Sequence, residues 1–221
     1  MSQHPILPGV AARVAARHLD LTNDDYGVLN YWGNTGIGVG SKAPPEIIEK
    51  LRALGRKVKP RKHKVLWRGM NFRPPGEILH TGYVHEHGRS LRWSKNPTRH
   101  DEVASPDGWE QSPSSGMWYL ADASRYRSMI GGVRSWTPKV RDAEYYMRGA
   151  RPANYPYGFV PADWLLVKWL NPSGIIVDTK PVKDSGYEVW TDTGEVIADA
   201  SDARIVGIDL DGGRLVLTIE G

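Results

Sequence analysis

The sequence predicts an α+β fold with a helical N-terminal part. Apolar residues at helical spacing are confined to the front of the chain, whereas short apolar runs bounded by turn residues crowd its last third. Helices that lead and strands that follow, without alternation, separate this class from the βαβ class. No internal repeat and no linker interrupts the 221 residues. One domain over 1–221 is therefore expected, with a helical and basic lead at 1–63 and the main body at 64–221.

Val10, Val14 and His18 share one side of an expected first helix, residues 6–19. Between Tyr26 and Lys42 the chain turns glycine-rich, with Gly33, Gly36, Gly38 and Gly40, which reads as loop. Ala43-Pro44-Pro45 opens a second helix, residues 46–54, because proline fits a first helical turn, and Gly55 is its expected stop. A basic connector, Arg56 to Lys64, leads into the apolar run Lys64-Val65-Leu66-Trp67. From Arg73 to Pro113 recurrent Pro, Gly, His and Ser predict loop with short strands. A strand at 116–120 and helices at 122–129 and 141–147 follow. The last third reads as strands at 164–170, 174–178, 187–191, 195–198, 204–209 and 214–219. Asp192-Thr193-Gly194 and Asp211-Gly212-Gly213 are the expected hairpin turns between them.

Composition removes several function classes. Without cysteine there is neither a disulfide framework nor a thiolate metal site. The N-terminus lacks a charged segment followed by an apolar one, and no run approaches membrane-spanning length, so a soluble, cytoplasmic protein is expected. Nine Trp and ten Tyr against two Phe supply rings with polar tips, suited to clefts as well as cores. A net charge of +4 and a pI near 9.2 invite an anionic ligand.

The glycines of Gly36-Ile37-Gly38-Val39-Gly40-Ser41-Lys42 fit neither a P-loop nor a dinucleotide fingerprint and read as a turning loop. His80, His85 and His87 lack a carboxylate placed beside them, so no metal is expected. The Arg56–Lys64 connector can grip a phosphate backbone, although no aromatic within it offers a stacking platform. Arg68 and Gly69 put a planar five-donor cation beside backbone that a pyrophosphate can approach closely. Ser135-Trp136-Thr137-Pro138 reads as a strand ending before a helix that carries Ala143, Tyr145 and Tyr146. Glu188 and Glu195 each open a run with Val and a further apolar residue.

In that order the parts resemble the arginine–serine–glutamate branch of the mono-ADP-ribosyltransferases, a family that includes bacterial toxins and phage enzymes. The resemblance covers residues 44–221. It rests on Trp67-Arg68-Gly69, Ser135-Trp136-Thr137 with Ala143 and Tyr146, and Glu195-Val196-Ile197 before two closing strand runs. It implies a split two-sheet β core, with 64–221 as the catalytic core, and NAD as substrate. Arg68 and Gly69 would hold the NAD phosphates, Ser135 would orient a catalytic glutamate, and Trp136 would pack near the nicotinamide. The glutamate is Glu195 or Glu188, and Ser94 competes with Ser135.

The implied activity is transfer of ADP-ribose to a macromolecular acceptor, protein or nucleic acid; with water as acceptor it becomes an NAD glycohydrolase. Thr193 or Gly186 stands where family members that modify protein side chains carry Glu or Gln, which turns the acceptor away from protein arginine. The resemblance also leaves room for an inhibitory partner. A reading of another class is a non-enzymatic nucleic-acid-binding accessory protein that uses Arg56–Lys64.

Overall fold

The computed structural model describes residues 19–35, 43–71, 83–87, 90–94, 109–111, 118–120, 130–146, 159–161, 164–184, 194–211 and 214–221. Its first elements are α1 (Asn23–Thr35), α2 (Pro45–Lys57), β1 (Val65–Asn71), β2 (Tyr83–His87) and β3 (Ser90–Ser94). Then come β4 (Trp109–Gln111), β5 (Trp118–Leu120), β6 (Val133–Trp136), α3 (Val140–Tyr146), β7 (Phe159–Pro161) and β8 (Trp164–Leu170). The last are β9 (Ile175–Asp178), α4 (Thr179–Asp184), β10 (Val196–Asp199), β11 (Arg204–Asp211) and β12 (Arg214–Glu220). Helices and largely antiparallel sheets make the fold α+β.

The chain divides into two compact units, each built from three segments. Residues 1–63, 130–138 and 173–202 form the first, and 64–129, 139–172 and 203–221 the second. The expected junction between lead and main body, at 63/64, is one point where the chain passes between them.

In the first unit, α1 occupies part of the stretch expected as glycine-rich loop. Its start is a reciprocal capping box: the Asp25 N–H donates to Thr22 Oγ1 (3.3 Å), while the Thr22 N–H donates to Asp25 Oδ2 (2.8 Å). Val28, Leu29 and Trp32 then form a buried stripe. α2 starts with Pro45 in its first turn, and the N–H groups of Ile47 and Ile48 both donate to the Pro44 carbonyl.

The expected stop at Gly55 is not one. The helix runs on to Lys57 and closes with the Val58 N–H on the Leu54 carbonyl (2.9 Å). Gly55 serves close approach instead, since a Cβ there would sit 1.9 Å from the Ile176 carbonyl oxygen of β9. The sheet of this unit has the order β6-β10-β9, antiparallel throughout. Leu51, Leu54, Val133, Val177 and Ile197 bury one face of it together with Trp32.

In the second unit, six strands run in the order β1-β8-β12-β11-β5-β4, with β12 and β8 parallel and the other pairs antiparallel. Trp67 packs on Ala143, Leu166 and Val216, and Lys168 Nζ lies 5.5 Å from its ring centroid. A second sheet, β3-β2-β7, belongs to the same unit. Asp211 pairs with Arg214, the register of a two-residue hairpin, although Gly212 and Gly213 lie outside the described residues. The helices expected at 6–19 (apart from Leu19, which is in a turn) and 122–129, the strand at 187–191 and the glycine loop at 36–42 also fall outside them.

Candidate active site

The pairing of β6 with β10 sets Ser135 opposite Ile197 and Trp136 opposite Val196. Side chains alternate across a strand, so Ser135 and Ile197 share a face, and Glu195, two residues before Ile197, returns to it. That face is the one α1 covers. The Trp32 indole N–H donates to Ser135 Oγ (3.0 Å) and to Glu195 Oε1 (3.1 Å). One donor thus ties together a serine and a glutamate 60 positions apart in sequence. Trp32 itself is 3% exposed, whereas Ser135 and Glu195 are half-buried. A shared N–H of this kind fixes where the carboxylate stands and leaves hydroxyl and carboxylate side by side.

The backbone of Glu195 is held as well. Thr179, the first residue of α4, donates its N–H (2.9 Å) and its Oγ1 hydroxyl (2.7 Å) to the Glu195 carbonyl. Gly194 precedes it at φ +70°, a left-handed conformation that glycine adopts without strain.

α4 is capped by Asp178, whose Oδ1 accepts the Lys180 N–H (3.0 Å). The Asp178 side chain is fully buried and takes two bonds from Arg61, Nε to Oδ2 (2.6 Å) and Nη2 to Oδ1 (2.9 Å). His63 Nε2 lies 3.0 Å from Oδ2. Burial alone would raise the Asp178 pKa, but the bonds from Arg61, His63 and the Lys180 N–H outweigh it and hold the carboxyl below its ordinary value of 3.8. The same pair raises the Arg61 pKa, chiefly through the hydrogen bond to Asp178.

Trp136 is on the opposite face of β6 from Ser135 and is 2% exposed, so the face that carries Ser135 does not offer its ring. Arg68 (6% exposed) and Gly69 belong to the second unit, in β1 opposite Val167 and Leu166. Ser94 ends β3 of that unit, opposite Tyr83. Glu188 lies outside the described residues. Among the described residues no group of three or more His, Asp or Glu could hold a metal ion, and no helix is long and apolar enough to cross a membrane.

Sequence reasoning missed Trp32, Asp178 and Thr179. Thr22-x-x-Asp25 followed by Tyr26, Val28, Leu29 and Trp32 is a capping box with a helical stripe behind it, and would have revealed α1.

No protein family matches the chain in sequence, and no curated protein does. The solved structures to which it is similar include ADP-ribosyltransferases. C3stau2 from S. aureus, solved with NAD, has 13% identity and a TM-score of 0.40, over 100% of this chain and 98% of that one. The Vis toxin, an ADP-ribosyltransferase from Vibrio splendidus, has 12% identity and a TM-score of 0.34, over 96% and 73%. C3larvin from Paenibacillus larvae has 12% identity and a TM-score of 0.25, over 97% and 93%.

Proposed function

We propose that the chain cleaves NAD at the nicotinamide–ribose bond and transfers the ADP-ribose to a macromolecular acceptor. The observation that supports this reading most is the meeting of Ser135 and Glu195 at the Trp32 N–H. These are two of the three side-chain types, in the expected order, on which the sequence resemblance rests.

Cleavage of the C1′–N bond leaves neutral nicotinamide and builds positive charge on the ribose, as in glycoside cleavage. A carboxylate hydrogen-bonded to a ribose hydroxyl stabilises that charge where it develops, and the acceptor nucleophile then attacks C1′. In this reading Glu195 is that carboxylate, with Oε1 held by Trp32 and Oε2 given to the ribose hydroxyl. Ser135 keeps it in place. For Arg68, beside Gly69, the sequence resemblance implies a hold on the pyrophosphate through charge-assisted bonds. The reaction requires no metal.

Nicotinamide release from NAD tests this, with wild type run beside Glu195→Gln, Glu188→Gln and Arg68→Ala. Release that is lost in Glu195→Gln and retained in Glu188→Gln is the expected result. Loss in Glu188→Gln alone would move the catalytic role to that residue. No release from wild type, with or without cell extract as a source of acceptor, would refute NAD cleavage. Labelled NAD presented to protein, RNA and DNA separates transfer from hydrolysis.

A further inference from the structure

The chain carries 29 Lys and Arg against 25 Asp and Glu. Residues 50–63 hold seven of those cations and none of the acids, so the rest of the chain is net negative. The protein's whole positive balance therefore resides in the end of α2 and the extended segment behind it.

That segment is anchored from beneath. Val58 is fully buried, and Arg61 and His63 bind the buried Asp178. Lys57 Nζ binds Asp25 (2.6 Å). Asp25 and Asp178 are thereby consumed from inside, and Asp184, whose field also reaches Arg61, is paired with Lys180. Arg56, Lys59 and Lys62 are exposed, and none pairs with an acid among the described residues. Arg56 also complements the negative end of α2. Lys59 and Lys62 lie beyond that turn and have no such task. A row of cations on pinned backbone loses little entropy on binding, unlike a loose basic tail.

We propose that residues 50–63 form a docking surface for the phosphate backbone of a nucleic acid. Chemistry selects this partner over an acidic protein. A protein interface needs buried apolar or aromatic anchors at its centre. The exposed side chains here are Lys and Arg, and no aromatic lies within the segment. What remains is contact by charge, which binds closely spaced phosphates without reading sequence. The proposal stands independently of NAD cleavage.

The test is anisotropy of labelled single-stranded and duplex oligonucleotides without NAD, titrated between about 50 and 200 mM salt. Wild type is expected to bind with log affinity falling steeply against log salt, by about 0.9 per phosphate neutralised on duplex. Lys59→Glu/Lys62→Glu is expected to lose roughly tenfold or more in affinity and about two in that slope. Arg141→Glu/Arg204→Glu, which changes net charge equally on exposed residues of the second unit, is expected to bind as wild type does. Unfolding curves keep loss of fold apart from loss of binding. Three results would each overturn the proposal: no binding at low salt, equal loss in both double variants, or preference for phosphatidylserine vesicles over oligonucleotides.

Discussion

Gly27 and Gly55 both lie inside helices, and replacing each by alanine has opposite expected signs. On propensity alone either change stabilises by about 0.5–1 kcal/mol, because glycine loses more backbone freedom on folding. Gly27 of α1 is exposed, and a Cβ there would meet nothing within 4 Å, so the propensity gain is realised. At Gly55 the added carbon would stand 1.9 Å from the Ile176 carbonyl oxygen, where ordinary contact begins at 3.4 Å. Helix and strand must therefore part by about 1.5 Å, the difference between those distances. The obstacle is backbone rather than a flexible side chain, and Leu51 and Leu54 beside it are fully buried. Overpacking of this kind costs about 1–3 kcal/mol, toward the upper end here. After the propensity gain is subtracted, Gly55→Ala should destabilise by roughly 1–2 kcal/mol, so the two variants differ by about 2–3 kcal/mol. Urea unfolding followed by tryptophan fluorescence reads this directly, since Trp32 sits in the same core. A Gly55→Ala protein as stable as Gly27→Ala would mean that α2 does not press on β9, and would restore Gly55 to a mere helix stop.

Trp32→Phe keeps a ring in the core and removes one N–H. A hydrogen bond to a charged group is worth about 1.5–3 kcal/mol, so nicotinamide release should slow roughly 10- to 100-fold in kcat with little change in KM. Full turnover in that variant would remove Trp32 from any role in holding Glu195. Asp178→Asn should cost about 2–3 kcal/mol at neutral pH, less than for a fully buried pair because the Arg61 side chain is 40% exposed. The folded Asp178 carboxyl titrates below its ordinary 3.8, so its contribution is full above that pH and fades as pH falls through the depressed folded value. The stability gap between wild type and Asp178→Asn should therefore narrow in acid. Urea midpoints taken from pH 5 downward check this, and a gap independent of pH would contradict it.

The strands of the last third were legible because each is a short run between turn residues, and β8, β11 and β12 lie where those runs predict. α2 was legible from its prolines, though its end was not. Gly55 looks the same in sequence whether it stops a helix or admits a neighbouring strand, and only the position of Ile176 decides. α1 was hidden because Gly27 and Gly33 outweighed a capping box that uses Asp rather than the commoner Glu. In the candidate site, Ser135 and Glu195 were legible as residue types in order. Their tie to Trp32 was not, because contacts 103 and 163 positions apart leave no local trace. The burial of Trp136 follows from strand alternation once the face of Ser135 is known. A strand buried on both sides hides that parity in sequence.

The first unit draws on three separate stretches of chain, and Trp32, Ser135 and Glu195 come one from each. This dictates a timetable at the ribosome. Glu195 emerges 163 residues after Trp32, which at about 5–20 residues per second is a delay of roughly 8 to 30 s. Throughout that interval α1 and α2 have exposed apolar stripes and no sheet to cover them, so the nascent chain is a natural client for holding chaperones. The same order makes truncation decisive. A product that ends before residue 195 lacks both Glu195 and β10, the central strand of its sheet, so premature termination leaves β6 and β9 of the first unit without the strand that joins them.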